Sequence, residues 1–222
     1  RSINQPDAFW TEQAARIDWV KPFTQVCDFS RPPFAKWFVG GETNLCYNAV
    51  DRHLDERGDQ LALVGYSTET GSVRELSFRE LHREVNTFAA VLQTLGVGRG
   101  DRVVIYMPLT LEGVLAMLAT AYIGAIHSVV YAGLGVSALR ERILDAQAKL
   151  LIAGDVSFRR GKGVDLRSIA EEAIRDLPLK VVWFQRAYKA ELSEGHYDFH
   201  ELLWGNPPEA RAEMVDAEHP LF

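Results

Sequence analysis

The chain has 222 residues, of which 47% are hydrophobic and 24% are charged, a composition typical of a soluble globular protein. Its formal net charge of −6 argues against a general nucleic-acid binder, which is normally basic over a whole face. The longest apolar stretch, residues 113–126, is shorter than the roughly 20 residues that cross a bilayer, so we expect a cytoplasmic protein without a membrane contact.

The first 45 residues are rich in Trp, Phe and Pro but have no regular apolar period. A segment of this kind has too little periodic apolar surface to form a core of its own. We therefore expect residues 1–45 to wrap as an arm over a larger body that is formed by residues 46–222.

A helix and a hairpin are predicted next. Residues 48–58 are expected to form a helix with Asn48 as its N-cap and a glycine at its end. Residues 61–67 and 73–77 predict two strands joined by the turn TETGS.

The clearest helix of the chain follows Ser77. Ser77 and Glu80 have the spacing of a capping box, and apolar side chains then recur every three or four positions until Gly96.

Beyond residue 100, short apolar stretches alternate with helical ones. The expected strands are residues 102–107, 127–132, 148–154 and 180–185, and the expected helices are residues 111–123, 137–146 and 165–176. Short Val- and Ile-rich strands separated by helices are typical of right-handed crossovers. The sequence thus predicts an α/β fold, a mostly parallel sheet with helices on both faces.

Ligands of open α/β sheets bind at the carboxyl ends of the strands, where two loops are expected. One interpretation is a dinucleotide site. GLGVSA (residues 133–138) fits the pattern G-x-G-x-x-A between a strand and a helix, and Asp155 lies where a ribose-binding carboxylate is expected. A turn glycine and an N-capping aspartate explain the same residues without a ligand.

A second interpretation uses both loops together. The loop YAGLG (residues 131–135) brings bare backbone near a ligand, and Arg159 and Lys162, on either side of Gly161, aim positive charge at one anion. Arginine offers a planar face for an adenine and a fork for phosphate oxygens. The alternative is a solvated basic loop whose charges pair with Asp165 or Glu171.

Other chemistry is not indicated. The two cysteines have no metal-ligand spacing, and the six histidines lack H-x-x-x-H and H-E-x-x-H patterns on a helix. Surface or helix-end positions are expected for these histidines. The sequence nominates no metal ligand and no catalytic residue.

Six segments carry a resemblance to a known family. They are FWTEQAARIDWVKPF, KWFVGGETNLCYNAVDRHL, LSFRELHREVNTFAAVLQTLGVGRGDRVVIYMP, EGVLAMLATAYIGAIHSVVYAG, AGDVSFRRGK and DAEHPLF. In these segments, their order and their spacing, the chain resembles the N-terminal part of AMP-forming short-chain acyl-CoA synthetases, the acetyl-CoA and propionyl-CoA synthetase group of adenylate-forming enzymes. The resemblance implies an incomplete N-terminal subdomain that stops before the family's ATP phosphate loop.

The resemblance also implies a two-step reaction. The carboxylate of a small acid attacks the α-phosphate of ATP, which releases pyrophosphate and gives an acyl-adenylate, with Mg²⁺ offsetting phosphate charge. The thiol of coenzyme A then displaces AMP to form the thioester. The substrates expected from the family are acetate, propionate or 3-hydroxypropionate. The ATP and Mg²⁺ sites and the catalytic residues would lie in the rest of the polypeptide, so the segment alone is expected to be inactive.

In the family, the arginines of the segment that matches RRGK bind the nucleotide end of coenzyme A. The resemblance places Arg159, Arg160, Gly161 and Lys162 in this site. Lys162 stands where the family often has arginine and keeps the charge without the fork. Arg160 stands where a small residue is usual and either adds a contact or faces water.

The loop YAGLG matches an aromatic-Gly-Gly-Phe segment that lines the same surface in the family, which places Tyr131, Ala132 and Gly133 at coenzyme A. Ala132 and Leu134 depart from that pattern. These departures favour a divergent member, such as the ligase module of a multifunctional propionyl-CoA synthase. An NAD(P)-binding domain of an oxidoreductase and a non-catalytic structural module stay open as alternatives.

Overall fold

The computed structural model describes residues 1–69, 71–187, 189–204 and 209–222 of the chain. The helices are α1 (Pro6–Ala14), α2 (Leu45–Ala49), α3 (Leu54–Arg57), α4 (Phe78–Thr94), α5 (Leu111–Tyr122), α6 (Val136–Asp145), α7 (Leu166–Ile174) and α8 (Phe199–Trp204), with a 3₁₀ turn at Asp51–His53. The strands are β1 (Gln25–Arg31), β2 (Phe34–Val39), β3 (Glu42–Thr43), β4 (Leu61–Tyr66), β5 (Val73–Ser77), β6 (Arg102–Tyr106), β7 (Ile126–Val129), β8 (Leu150–Gly154), β9 (Val156–Arg159), β10 (Lys162–Asp165), β11 (Lys180–Phe184), β12 (His196–Asp198) and β13 (Val215–Asp216). Within these ranges, none of the helices has the length and apolar character that crossing a membrane requires.

Five parallel strands form the largest sheet of the described chain. Their spatial order is β12-β11-β8-β6-β7, and every neighbouring pair runs parallel. Parallel strands are covered on both faces and need continuous apolar side chains, and Val103, Val104 and Ile105 of β6 are accordingly all buried. The predicted α/β fold with a mostly parallel sheet is confirmed.

Helices cover both faces of this sheet. α4, α5 and α8 share one core with Val103 and Ile105, whereas α6 and α7 share a second core with Val104 and Leu151. Because α5 follows β6 and α7 follows β8, the chain leaves these two neighbouring strands towards opposite faces. Such a switch point opens a crevice at the carboxyl ends of the strands.

α4 begins where the sequence predicts. The Ser77 hydroxyl oxygen accepts the Glu80 N–H, and the Glu80 carboxylate accepts the Ser77 N–H at 2.8 Å, so the capping box is confirmed. The helix ends before Gly96, whose φ of +95° is a left-handed conformation that glycine adopts without a steric penalty.

The predicted single helix over residues 48–58 is wrong. The segment is divided into α2, the 3₁₀ turn and α3, because the backbone at Val50 is not helical (φ −128°, ψ −66°). Asn44, and not Asn48, is the N-cap of α2 and accepts the Tyr47 N–H. The Asn48 side chain instead binds the backbone of Asp18, accepting its N–H at 2.8 Å and donating to its carbonyl at 3.1 Å.

The first 45 residues contain α1 and the antiparallel pair β1–β2. β3 pairs antiparallel with β13, so that Thr43 lies opposite Val215. Asn44 strengthens this junction by donating from Nδ2 to the carbonyl of Glu213 at 2.8 Å. The division of the chain at residue 45 into an arm and a body stays a prediction.

Candidate functional site

The segment over residues 155–164, predicted as a short loop, is a β-hairpin. β9 and β10 pair antiparallel, with Arg159 opposite Lys162 and Phe158 opposite Gly163. Two residues form the turn, Arg160 with φ +52° and Gly161 with φ +73°. Positive φ at both central residues is the type I′ geometry whose twist fits a two-residue hairpin.

Arg159 and Lys162 are exposed and lie on the same face of this hairpin, because directly opposite residues of an antiparallel pair share a face. Neither forms an ion pair with any residue that the structure describes. Like charges that face each other destabilise a strand pair. An anion held between the two would offset this repulsion.

The acidic partners that the sequence suggested for these cations are engaged elsewhere. Asp165 caps α7, where its carboxylate accepts the Ser168 hydroxyl at 2.6 Å and the Ser168 N–H at 3.0 Å. These hydrogen bonds lower the pKa of Asp165. Glu171 pairs with Arg167 at 2.9 Å. The pairing of the basic segment with Asp165 or Glu171 is therefore wrong, while a segment whose cations are simply solvated stays open as the alternative to a ligand site.

Asp155, at the base of the hairpin, is buried to 1% exposure. Its two carboxylate oxygens accept the N–H groups of Arg186 and Ala187, each at 2.9 Å. Its carbonyl oxygen accepts the N–H groups of Leu166 and Arg167, each at 3.0 Å. Asp155 is thus not available to a ribose, and the dinucleotide interpretation loses the carboxylate on which it depended.

The loop over residues 131–135 follows β7 and turns back over β6. Leu134 N–H donates to the Tyr131 carbonyl at 3.0 Å, and the Tyr106 hydroxyl donates to the Leu134 carbonyl at 2.7 Å. Tyr131 is 64% exposed, while the side chains of Ala132 and Leu134 pack towards the core shared by α6 and α7.

Gly133 is the residue of this loop that a side chain would disturb. A Cβ atom at Gly133 would lie 2.2 Å from Cε1 of the Tyr131 ring, so any other residue would displace that ring. The loop therefore presents an exposed tyrosine beside bare, exposed backbone.

Both features lie at the carboxyl edge of the sheet, since the loop folds onto the end of β6 and the hairpin leaves the end of β8. The roles of Tyr131, Ala132 and Gly133 and of the hairpin residues 159–162 in binding a ligand stay predictions.

One residue at this edge was missed by sequence reasoning. The Arg186 guanidinium lies over the Phe158 ring, 5.5 Å from its centroid. The two positions are far apart in sequence, and no local pattern links them. The alternation of apolar and polar residues over 156–159 indicates a strand that contains Phe158, but it does not indicate the contact with Arg186.

The histidines and cysteines do not form a second site in the described part of the chain. No group of three or more His, Cys, Asp or Glu side chains there could hold a metal ion. The surface or helix-end position expected for every histidine is wrong for His127, which is 9% exposed and whose pKa is lowered by burial.

Comparison with known proteins decides the family. The AMP-binding enzyme family model matches residues 50–222, and the model of the acetyl-coenzyme A synthetase N-terminus matches residues 1–49. The chain belongs to the AMP-binding enzyme family. The resemblance of the sequence to the N-terminal part of acetyl-CoA and propionyl-CoA synthetases is thereby confirmed.

Individual relatives agree with this family assignment. The propionate–CoA ligase of Salmonella typhimurium is 52% identical over 174 residues, covering 78% of the chain and 28% of the ligase. The acetyl-coenzyme A synthetase of Thiobacillus denitrificans is 46% identical over 222 residues, covering 97% of the chain and 34% of the synthetase.

A solved structure, acetoacetyl-CoA synthetase from Streptomyces lividans, superposes with a TM-score of 0.90 at 30% identity and covers 99% of the chain and 34% of that protein. The chain thus spans about a third of the length of its relatives.

Proposed function

We propose that the chain is the N-terminal part of an ATP-dependent, AMP-forming acyl-CoA synthetase and that this segment supplies part of the site for the nucleotide end of coenzyme A. The relatives named as acetyl-CoA and propionate–CoA ligases support the activity. The observation that carries the site is the pair of exposed cations, Arg159 and Lys162, on one face of the hairpin at the switch-point edge.

The chemistry of coenzyme A fits this surface. Its nucleotide end carries a pyrophosphate, a 3′-phosphate and an adenine. Arg159 offers a planar fork for phosphate oxygens and a face for the base, and Lys162 adds a compact point charge. Tyr131 and the exposed backbone at Gly133 would line the neighbouring part of the site.

The adenylation step is assigned to residues outside this segment. As the family resemblance implies, the ligands of Mg²⁺ are assigned to the rest of the polypeptide as well. ATP and the carboxylic acid would also bind mainly there, which makes the rest of the polypeptide the partner that this segment requires. The segment alone is expected to form no thioester.

The acid is proposed to be small. Acetate and propionate are the substrates suggested by the relatives' names, and 3-hydroxypropionate would apply if the segment belongs to a multifunctional propionyl-CoA synthase. The cytoplasmic location expected from the sequence stays a prediction.

Single substitutions in the complete polypeptide test the proposal. Arg159→Ala and Lys162→Ala should each raise the apparent KM for coenzyme A, because each removes a phosphate contact, while ATP–pyrophosphate exchange should be spared. Arg175→Ala is the matched control, since it removes an exposed arginine that pairs only with Glu172 among the described residues. An unchanged coenzyme A dependence in both variants would reject the proposed site.

Ligand titration and a thioester assay test the activity itself. Tight binding of NAD(H) in place of coenzyme A would favour an oxidoreductase domain. A complete polypeptide that forms no thioester from ATP, coenzyme A and any short acid would favour a structural module.

A further inference from the structure

The two ends of the hairpin β9–β10 lie beside one residue, Asp155. The hairpin begins directly after Asp155 and is followed by Leu166, the first residue of α7. The Leu166 N–H donates back to the Asp155 carbonyl at 3.0 Å. The Asp155 N–H donates to the carbonyl of Phe184 at 3.1 Å, which extends the pairing of β8 with β11. Both ends of the hairpin therefore meet at one buried aspartate.

The carboxylate of Asp155 fixes a second element. By accepting the N–H groups of Arg186 and Ala187, it holds the turn that follows β11 against the base of the hairpin. Hydrogen bonds from N–H groups to a buried carboxylate are stronger than neutral ones, so this turn is held firmly.

This turn places Arg186 on the hairpin. Its guanidinium covers the Phe158 ring, and Phe158 in turn lies across from Gly163, where no side chain intervenes. Successive residues of a strand point to opposite faces. Arg186 thus supports the face opposite to the one that carries Arg159 and Lys162.

We propose that Asp155 is a positioning residue for the coenzyme A site, acting through the Arg186–Phe158 contact to hold the hairpin face that presents Arg159 and Lys162 to the phosphates. This inference rests on the proposed function, because it assumes that the hairpin binds coenzyme A. It assigns a role to three residues, Asp155, Phe158 and Arg186, that need not touch the ligand.

The test is Asp155→Asn in the complete polypeptide. The apparent KM for coenzyme A should rise roughly tenfold, because asparagine keeps the shape but cannot accept both N–H groups, while ATP–pyrophosphate exchange stays within about twofold. Arg186→Ala should raise the same KM by roughly three- to fivefold, and Arg186→Lys, which keeps a cation over the ring, should restore most of the loss.

Asp101→Asn is the matched control. Asp101 also accepts a backbone N–H, that of Gly98 at 2.8 Å, but it precedes β6 at the amino edge of the sheet. Its substitution should lower the melting temperature without changing the KM for coenzyme A. If Asp155→Asn likewise lowers the melting temperature and leaves the KM for coenzyme A unchanged, the role of Asp155 is purely structural and the inference is overturned.

A double-mutant cycle separates the inference from the proposed function. If Asp155 acts through the cations, the effect of Asp155→Asn on KM shrinks when Arg159 and Lys162 are already alanine.

If the alanine variants raise the KM for coenzyme A but a folded Asp155→Asn protein does not, the inference about Asp155 is rejected and the proposed function stands. If the alanine variants have no effect on KM, the proposed coenzyme A site is rejected, and the inference about Asp155 with it. If Asp155→Asn does not fold, Arg186→Ala and Phe158→Leu decide, and normal KM values in both would overturn the inference.

Discussion

The amino and carboxyl edges of the parallel sheet both carry basic side chains, but they use them differently. At the amino edge, Lys149 pairs with Asp101 at 2.8 Å and Arg99 with Glu213 at 3.5 Å, while Arg102 donates to the carbonyl of Ala146 at 2.7 Å.

At the carboxyl edge, Arg159 and Lys162 face each other without an acidic partner among the described residues. The same kinds of side chain thus stabilise the fold at one edge and are left exposed at the other. The proposed coenzyme A site would give the two like charges beside the switch point a function.

Replacing both hairpin cations should have the largest effect. Arg159→Ala with Lys162→Ala in the complete polypeptide is expected to raise the apparent KM for coenzyme A by roughly 30- to 100-fold, because two charge-assisted phosphate contacts are lost. Steady-state kinetics at varied coenzyme A measure this. If the double variant behaves as wild type, the difference between the two edges has no functional meaning.

At the amino edge, the expected effect is on stability. Partial burial alone would raise the pKa of Asp101, but hydrogen bonds from Lys149 and from the Gly98 N–H outweigh it and lower the pKa. A lowered pKa means that the pair stabilises the folded state at neutral pH, by up to about 1 kcal/mol, and that this is lost as the pH falls below the unfolded value of about 4.

Urea unfolding between pH 7 and pH 3 checks this prediction. Asp101→Asn should be less stable than wild type at pH 7, and the difference should shrink towards pH 3. A difference that is independent of pH would show that the charge of Asp101 does not matter.

Substitutions at Arg160, in the turn of the hairpin, should show how much its backbone strain lowers the free energy of unfolding. Arg160 has a positive φ, a conformation that costs a non-glycine residue about 1 kcal/mol. Arg160→Gly should therefore be about 1 kcal/mol more stable than Arg160→Ala, because both remove the cation and only glycine relieves the strain. Equal unfolding free energies for the two variants would contradict the type I′ geometry.

The smallest effect is expected at Lys162. Lys162→Arg should lower the KM for coenzyme A by roughly threefold, because the guanidinium adds a second, directed hydrogen bond to a phosphate. Lys149→Arg at the amino edge is the control and should leave KM unchanged. A higher KM for Lys162→Arg would indicate that the site is fitted to the smaller ammonium group.

The sequence predicted the regular part of the molecule well, because the causes there are local. The capping box of Ser77 and Glu80 needs only neighbouring residues, and the apolar runs of β6 and β8 report burial on both faces of a sheet. Asn48 was misassigned as a helix cap because its partner, the backbone of Asp18, lies 30 positions away.

The two cations of the candidate site were nominated from the sequence, but the local shape around them was not predicted. Arg159 and Lys162 were nominated from their spacing and from the family resemblance, and their role stays a prediction, whereas the hairpin that aligns them was expected to be a loop because its strands are short and largely exposed. The hydrogen bonds of Asp155 were also missed, because its partners at Arg186 and Ala187 belong to a turn beyond the next strand.

The pairing of β3 with β13 has a consequence for synthesis of the protein. Residues 42–43 find their partner strand at residues 215–216, so the antiparallel ladder cannot form until the ribosome has released almost the whole segment. Closing so long a loop costs conformational entropy and slows folding. The five-stranded sheet, whose strands lie between these positions, is therefore expected to assemble before β3 pairs with β13.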